Sequence, residues 1–232
     1  EDSVPLRLED SILEHLATKT KDGFSVLAAM ATKQQIRNYL DWLKQVGLDP
    51  DWLTFEGMGV INMFLTTHDF EDPEKAPVPV ALLDIGHSKT TFSVLDQGRL
   101  QLLRTLSWGG TAITTNIAMA MGISVEEAES LKISQLDFNK VGAGGELIEA
   151  AAQALLPFFS ELNHSFASYR IQFKQEIGAL CLTGGTSRTK GIDKVLNDRL
   201  GVPVRYLQPF QGLEVKDHIK QYDQYRFAES WG

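Results

Sequence analysis

The chain has one cysteine in 232 residues, Cys181, set inside an apolar run. A single thiol excludes an internal disulfide framework, and no Cys/His spacing reads as a zinc site. Cys181 itself reads as a small buried core residue. Long hydrophobic runs are absent as well: nothing approaches the roughly 18 consecutive apolar residues of a transmembrane helix, and no signal peptide opens the chain. Positive charge is in deficit, with 22 Lys and Arg against 30 Asp and Glu and a net charge of -8. That balance argues against nucleic acid as a partner and against an electrostatic hold on anionic lipid. Heptad arrays, low-complexity tracts and internal repeats are missing too. The chain opens at Glu1 without a methionine and stops at Trp231-Gly232 after a helical-looking run, which predicts a piece of a longer protein. The remaining composition, 43% apolar and 22% charged residues, is ordinary for a globular protein. The length is ample for one large domain or two smaller ones.

Residues 1 to 55 read as a small hairpin-helix-strand unit. Ile12 to Ala17 is predicted as a strand, Lys21-Asp22-Gly23 as a hairpin turn and Phe24 to Ala31 as a second strand. Thr32 is placed to cap a helix from Lys33 to Val46. Its apolar positions Ile36, Tyr39, Leu40, Leu43 and Val46 recur at helical spacing, and Gly47 supplies the stop. Pro50 leads into an extended segment to Phe55. Gly57 to His68 reads as another helix. The stretch from His68 to Pro79, with Pro73, Pro77 and Pro79 among charges, reads as a loop and as the best boundary in the chain. Residues 56–76 thus join the small unit to the larger, C-terminal part of the chain.

From residue 77 the pattern changes. Val80 to Asp84, Thr90 to Leu95 and Arg99 to Leu106 are predicted as an antiparallel meander, with Asp96-Gln97-Gly98 as its second turn. Trp108-Gly109-Gly110 breaks it, and Thr111 is placed to cap a helix to Met121, closing a segment 77–121. Residues 122–145 read as an insertion: Ser124 and Glu127 form a capping box for a helix through Lys132, and Asn139 to Gly145 is a Gly-rich loop. In the remainder, 146–232, Glu146 to about Lys174 is a long helix. Leu147, Ala150, Ala151, Leu155, Phe158, Phe159, Leu162 and Phe166 lie on one face of it. Ala179 to Thr183 is the next strand, Gly184-Gly185 a turn, 188–200 a helix closed by Gly201, and Val202 to Tyr206 a last strand. A meander feeding parallel crossovers predicts an α/β fold with a mixed sheet and helices on both faces.

Three glycine turns could carry chemistry. In Asp84-Ile85-Gly86-His87-Ser88-Lys89-Thr90-Thr91 an acid ends a strand and a tight turn holds a glycine and hydroxyl residues. Such a turn lets backbone amides approach a phosphate, with the hydroxyls as further donors. Asp84 could hold magnesium through water, and Lys89 could meet negative charge. A plain hairpin with a polar tip is the other reading. Leu182-Thr183-Gly184-Gly185-Thr186 runs from a buried strand into two glycines, a place for a backbone to pass close to a flat ligand or phosphate, though many strand-to-helix turns use glycine. Trp108-Gly109-Gly110 is a third break at a strand end. His15, His68, His164 and His218 show no mutual spacing that suggests a ligand set.

The ensemble resembles a family. The D-x-G hairpin at Asp84, the Gly109-Gly110 pair before a helix, the E-x-x-K helix with Glu129 and Lys132, and the late LTGG at 182–185 resemble the second half of the actin, sugar-kinase and DnaK-type ATPase fold. The branch is that of PilM, FtsA and the cytoplasmic part of GspL. The stretch 24–56 resembles subdomain 1C of that branch, joined to the segment that crosses between domains. The stretch 214–232 resembles the end of its fold. The implied architecture is an α/β, actin-like (RNase-H-like) fold with a mixed sheet and flanking helices, plus a small 1C-like subdomain. The N-terminal part of domain I is missing. Residues 77–121 begin domain 2A, 122–145 form a 2B-like insertion and 146–232 complete domain 2.

The resemblance also assigns roles. Asp84, Gly86, His87, Ser88, Lys89 and Thr90 would form the second phosphate loop, with Gly109 and Gly110 beside it, and Asp84 would face a hydrated magnesium ion. Gly184, Gly185 and Thr186 would border the adenosine. Glu129 and Lys132 would face the ribose and base, or form a solvated helix pair. Glu56 would orient water as the candidate catalytic residue, or stand as a plain surface charge. His87, where PilM sequences commonly have small residues, is similar to some GspL-type sequences. Nothing in residues 1 to 20 matches the family's first D-x-G hairpin, so ATP binding by this chain is expected to be weak or nil. The implied function is a cytoplasmic scaffold at the inner face of the bacterial inner membrane, in the assembly platform of a type IV pilus or a type II secretion system. Its partners would be a PilN-like tail, or the secretion ATPase and a GspM-like protein, with self-association into a homo-oligomer open. The alternatives are an actin-fold ATPase or small-molecule kinase, and an FtsA-like membrane-tethered filament protein. The expected docking surface lies on the small subdomain.

Overall fold

A computed structural model describes residues 7–20, 23–67, 78–140 and 145–209. The chain divides into two compact units, one ending at Thr54 and the other starting at Phe55.

In the first unit, β1 (Ser11–Thr20) and β2 (Gly23–Thr32) pair antiparallel, in register from Ser11↔Thr32 to Thr20↔Gly23. Helix α1 (Lys33–Gln45) starts on a full capping box, in which the Thr32 hydroxyl accepts from the Gln35 amide and the Gln35 side chain accepts from the Thr32 amide. The strand expected before Phe55 is absent, and the sheet has two strands. Pro50 has no amide to offer a ladder, and Trp52 is 90% exposed, so this segment has no inward face to hold it in register. The helix face also differs from expectation. Leu43 is buried, whereas Tyr39 and Val46 are each more than half exposed. A two-stranded ribbon offers too little surface to cover them.

The second unit opens with α2 (Glu56–Thr67). Its sheet is built from β3 (Val80–Ile85), β4 (Thr90–Asp96), β5 (Arg99–Leu106), β6 (Ala179–Thr183) and β7 (Val204–Tyr206), in the order β5-β4-β3-β6-β7. The β3, β4 and β5 pairings are antiparallel, and those of β3 with β6 and β6 with β7 are parallel. This is the mixed sheet that the meander and crossovers predict, in the RNase-H-like form that the resemblance implies. β3 is apolar nearly throughout because both of its faces are covered. Ala81, Leu83 and Ile85 join the larger core with Phe92, Val94, Leu180 and Leu182, while Leu82 packs on the other face with Cys181 and with Ile61 and Phe64 of α2.

Three more helices cover the larger core: α3 (Gly110–Met121), α5 (Glu146–Phe173) and α6 (Ile192–Leu200). α4 (Val125–Gln135) comes after α3 and starts on the predicted Ser124/Glu127 capping box, but runs one turn past Lys132. Ala150, Ala151, Leu155, Phe158, Phe159 and Leu162 of α5 are buried as their spacing predicts. The Trp108 ring stacks on Phe158 at 4.0 Å, and its Nε1 donates to the Ala154 carbonyl at 2.9 Å. No helix among the described residues is long and apolar enough to cross a membrane.

Three local expectations fail. α3 has Gly109 at its N-cap, and the Thr111 hydroxyl donates to the His87 carbonyl instead of capping the helix. α6 begins at Ile192, not 188, because residues 185–188 form a 3-10 turn and Gly191 takes a left-handed φ of +78°. β7 begins at Val204, since Pro203 offers a carbonyl but no amide to β6. The terminal stretch 214–232, His218, His68 and most of the proline loop lie outside the described residues.

Candidate functional site

The site arises from one strand pairing. β3 and β6 are parallel neighbours with Asp84 opposite Thr183, so the loops leaving their carboxyl ends emerge side by side although 100 residues separate them. This edge, where a parallel pair meets an antiparallel meander, is where open α/β sheets hold ligands. The Thr186 hydroxyl donates to the Gly86 carbonyl at 2.8 Å and ties the two loops together. Gly184 has φ +89°, and a Cβ there would meet the Asp84 carboxylate and lie 2.5 Å from the Ile85 carbonyl oxygen. Only glycine satisfies both conditions.

The β3–β4 hairpin is fastened through its carbonyls. Gly86 donates to the Lys89 carbonyl, while the Gly86 carbonyl accepts from the Gly110 amide at 3.0 Å and from Thr186. The His87 carbonyl accepts from both the amide and the hydroxyl of Thr111, each at 2.7 Å. The buried Thr90 hydroxyl donates to the Trp108 carbonyl at 2.8 Å, so it anchors β4. The amides of His87 and Ser88 and the Ser88 hydroxyl find no partner among the described residues. A tip whose Gly86, His87 and Lys89 carbonyls are engaged while its 87 and 88 amides are not has the polarity of an anion site. Lys89 forms an ion pair with Glu56 of α2, with both side chains about half exposed. Burial, reinforced by the Glu56 charge and opposed by Lys89, raises the pKa of the Asp84 carboxyl above its ordinary value.

A cleft of about 360 Å³ opens beside this hairpin, and His87, Glu129, Lys132, Gly185 and Thr186 all line it. Lys132 is only 9% exposed. It donates to the Gly110 carbonyl at 3.3 Å, to the Thr114 hydroxyl at 2.9 Å and to Glu129 at 2.7 Å, and Glu129 also accepts from Thr114. The pair is therefore a packed network that fixes α4 on the start of α3, not a solvated helix pair. Burial opposes the charge on Glu129, but the hydrogen bonds from Lys132 and Thr114, with the Lys132 and His87 charges, outweigh it and hold the carboxyl below its ordinary pKa. The hairpin contributes only His87 to the cleft lining; Asp84, Gly86, Ser88, Lys89 and Thr90 build the loop behind it, and Gly109 and Gly110 brace that loop. Glu56 meets Lys89, not the cleft.

Ile133, Arg188 and Lys190 also line the cleft and escaped the sequence reading. The basic residues of Thr186-Ser187-Arg188-Thr189-Lys190, directly after the double glycine, were the available signal, hidden by extending α6 back to 188. Their effect is electrostatic. Lys132, Arg188 and Lys190 share the cleft lining with Glu129 in a chain whose net charge is -8.

A family model described as type IV pilus assembly protein PilM matches residues 1–231. The cell division protein FtsA of Pseudomonas aeruginosa is 23% identical over 77% of this chain and 46% of its own length. FtsA of Bacillus subtilis is 29% identical over 56% of this chain and 34% of its own. The chain thus spans less than half the length of these relatives. Among solved structures, the PilM-PilN type IV pilus biogenesis complex aligns with 99% of this chain and 66% of its own at a TM-score of 0.82 and 21% identity. MreB5 of Spiroplasma citri bound to AMPPNP aligns with 76% of this chain and 60% of its own at a TM-score of 0.57 and 14% identity. These likenesses show the actin-like fold.

Proposed function

We propose, for a chain that belongs to the PilM family of type IV pilus assembly proteins, that it is a scaffold at the inner face of the bacterial inner membrane whose first unit docks the tail of a PilN-like platform protein. The observation that carries this is the family match over 1–231, together with the fold likeness to a PilM-PilN complex over nearly the whole chain. It favours the pilus over the secretion platform. The first unit suits the task. Tyr39, Trp42, Val46, Leu48 and Trp52 are each more than half exposed, with Tyr39 and Trp42 stacked at 6.2 Å. A patch of this kind fits the apolar side chains of a peptide. The test is a pull-down with synthetic PilN-like tails, using the native chain and one lacking residues 1–54, each checked for folding by circular dichroism. Retention by the native chain alone is expected. Equal retention by a folded shortened chain would move the docking site elsewhere.

A second reading is favoured by the cleft: a nucleotide held as a structural ligand. The unpaired amides of His87 and Ser88 suit phosphate, and the cations of the lining suit an anion. Asp84, whose ionisation is disfavoured by burial and by the Glu56 charge, would face a hydrated magnesium carried in with the phosphates. Among the described residues no group of three His, Cys, Asp or Glu could hold a metal alone. We read the ligand as bound rather than turned over, because Glu56 is engaged by Lys89. Calorimetry with ATP and magnesium is expected to give a dissociation constant weaker than micromolar. An affinity near -8 kcal/mol would show that this half of the fold suffices for tight binding.

A further inference from the structure

We infer that the open edge of β5 is a docking site for an extended acidic segment of another protein, which adds to the sheet as a further strand and places a carboxylate beside Arg104. This surface shares no residue with the cleft lining or with the apolar patch of the first unit. β5 lies at one end of the order β5-β4-β3-β6-β7, so one of its edges has no neighbouring strand among the described residues. The free groups on that edge follow from the register. The Gly86 amide bonds the Lys89 carbonyl, and hydrogen-bonded pairs alternate from there along β4. Thr90, Phe92 and Val94 turn their backbone groups to β5, where their partners are Leu106, Arg104 and Leu102. Leu103 and Thr105 therefore point amide and carbonyl away from β4, and these groups have no partner among the described residues.

Edge strands usually carry devices that stop such pairing. β7 has them: it is three residues long and Pro203 precedes it. β5 is eight residues long without proline or lysine. Its one irregularity, where Leu95 and Val94 pair with Leu100 and Leu102, lies near the turn and leaves residues 102–106 regular. On one face of β5, Leu103 packs against α2, where a Cβ on Gly57 would lie 3.0 Å from Leu103 Cδ1. On the other, Leu102 joins the larger core and Arg104 pairs with Glu161 of α5 at 3.6 Å. An incoming strand thus meets a template already held on both faces. Charge selects the occupant. Arg99 and Arg104 are the only charged residues of β5, in a chain of net charge -8. A second copy would bring two such pairs of arginines onto one short ribbon, and a basic segment would meet the same repulsion. The Arg104–Glu161 pair is long and partly exposed, so a carboxylate on the added strand can share the guanidinium. Main-chain bonds supply the affinity. An acid on the Arg104 face and an apolar side chain on the Leu103 face supply the specificity.

The test titrates the native chain with two capped peptides matched to the eight residues of β5, one alternating valine with glutamate and one alternating valine with lysine. Amide hydrogen exchange is followed by NMR at millimolar peptide. The Leu103 and Thr105 amides are expected to exchange more slowly with the glutamate peptide. Its affinity should be roughly fivefold above that of the lysine peptide, as for trading a repulsive cross-strand pair for an attractive one. Nonspecific attraction to an acidic chain would give the opposite order. Thr105→Pro removes an outward amide and no ladder bond. It should abolish the protection at Leu103 while the amides of Arg104 and Leu106 stay as slow as in the native sheet. Arg104→Glu should reverse the order of the two peptides, and it decides the matter alone if the proline variant fails to fold. Equal affinity for both peptides, a preference for the lysine peptide, or protection only at amides other than those of Leu103 and Thr105 would overturn the proposal. So would slow exchange at these two amides in the peptide-free chain together with a doubled mass in solution, which would make the occupant a second copy.

Discussion

Replacing Gly109 with alanine should damage the site without touching any ligand-facing side chain. An alanine Cβ would lie 2.6 Å from the His87 carbonyl oxygen, 2.7 Å from its carbon and 2.7 Å from the Lys89 amide nitrogen. All three are backbone atoms, so no side chain can swing away. Ordinary contact starts near 3.4 Å, and the hairpin and α3 must separate by about 0.8 Å, the difference from 2.6 Å. That would stretch the Gly110–Gly86 bond from 3.0 Å and the Thr111–His87 bond from 2.7 Å to the edge of hydrogen bonding or beyond. Keeping the clash costs about 1–3 kcal/mol, and relieving it loses two bonds of about 1 kcal/mol each. Either way the expected destabilisation is about 2 kcal/mol. Urea unfolding monitored at 222 nm, where the 28 residues of α5 contribute strongly, checks it. With a slope of about 2 kcal/mol/M, the midpoint should fall by about 1 M at unchanged slope. Gly185→Ala is the control, since nothing lies within 4 Å of its virtual Cβ. A midpoint for Gly109→Ala within 0.2 M (roughly 0.4 kcal/mol at that slope) of the native value, or an equal loss in the control, would refute the packing argument.

Asp84→Asn should raise the melting temperature at neutral pH. The folded-state pKa of Asp84 lies above its ordinary value through burial and the Glu56 charge, so the ionised carboxyl weakens the fold. This penalty is absent below the unfolded pKa, grows as pH rises through the folded one and is fully present above it; melting curves that coincide at pH 7 would contradict it. Lys132→Ala should cost about 1–2 kcal/mol, since it removes donors to Gly110, Thr114 and Glu129. Because the Glu129 carboxyl is held below its ordinary pKa, its contribution is present above the unfolded value and lost as pH falls through the folded one. The native chain should therefore lose more stability on acidification than the variant, and parallel stability-against-pH curves would be the contrary result.

The elements of the second unit were legible because each carries a strong local signal. β3 reads as an apolar run since both faces are buried, and the Ser124/Glu127 box marks the start of α4 without ambiguity. Local chemistry serving a distant partner was the source of error. Thr111 reads as a helix cap because hydroxyl residues commonly cap, but here Gly109 takes the N-cap and frees that hydroxyl for the His87 carbonyl. Glu129 and Lys132 read either as facing a ribose and base or as a solvated pair three residues apart, and only the packing of α4 beside Gly110 and Thr114 makes them a partly buried network. In the first unit the helical spacing of Tyr39 and Val46 promised burial that two strands cannot supply. Periodicity reports which face is apolar, not whether anything covers it.

The two loops of the cleft show why residue identity and position carry different information here. Neither hairpin nor double glycine is specific alone, and sequence cannot reveal that they touch. The Asp84↔Thr183 register makes them touch, and it results from two short apolar strands becoming parallel neighbours. Once that pairing exists, hydrogen bonds consume the carbonyls of the hairpin one by one: Gly110 and Thr186 take Gly86, Thr111 takes His87, and Gly86 takes Lys89. The donors left over at 87 and 88 are a consequence of that pairing pattern rather than of any binding residue. A tip formed in this way depends less on its side chains than on the close backbone approaches that engage its carbonyls. The structural glycine Gly109 should therefore prove more consequential for the cleft than Ser88 or Lys89, whose side-chain contributions a ligand or solvent can replace.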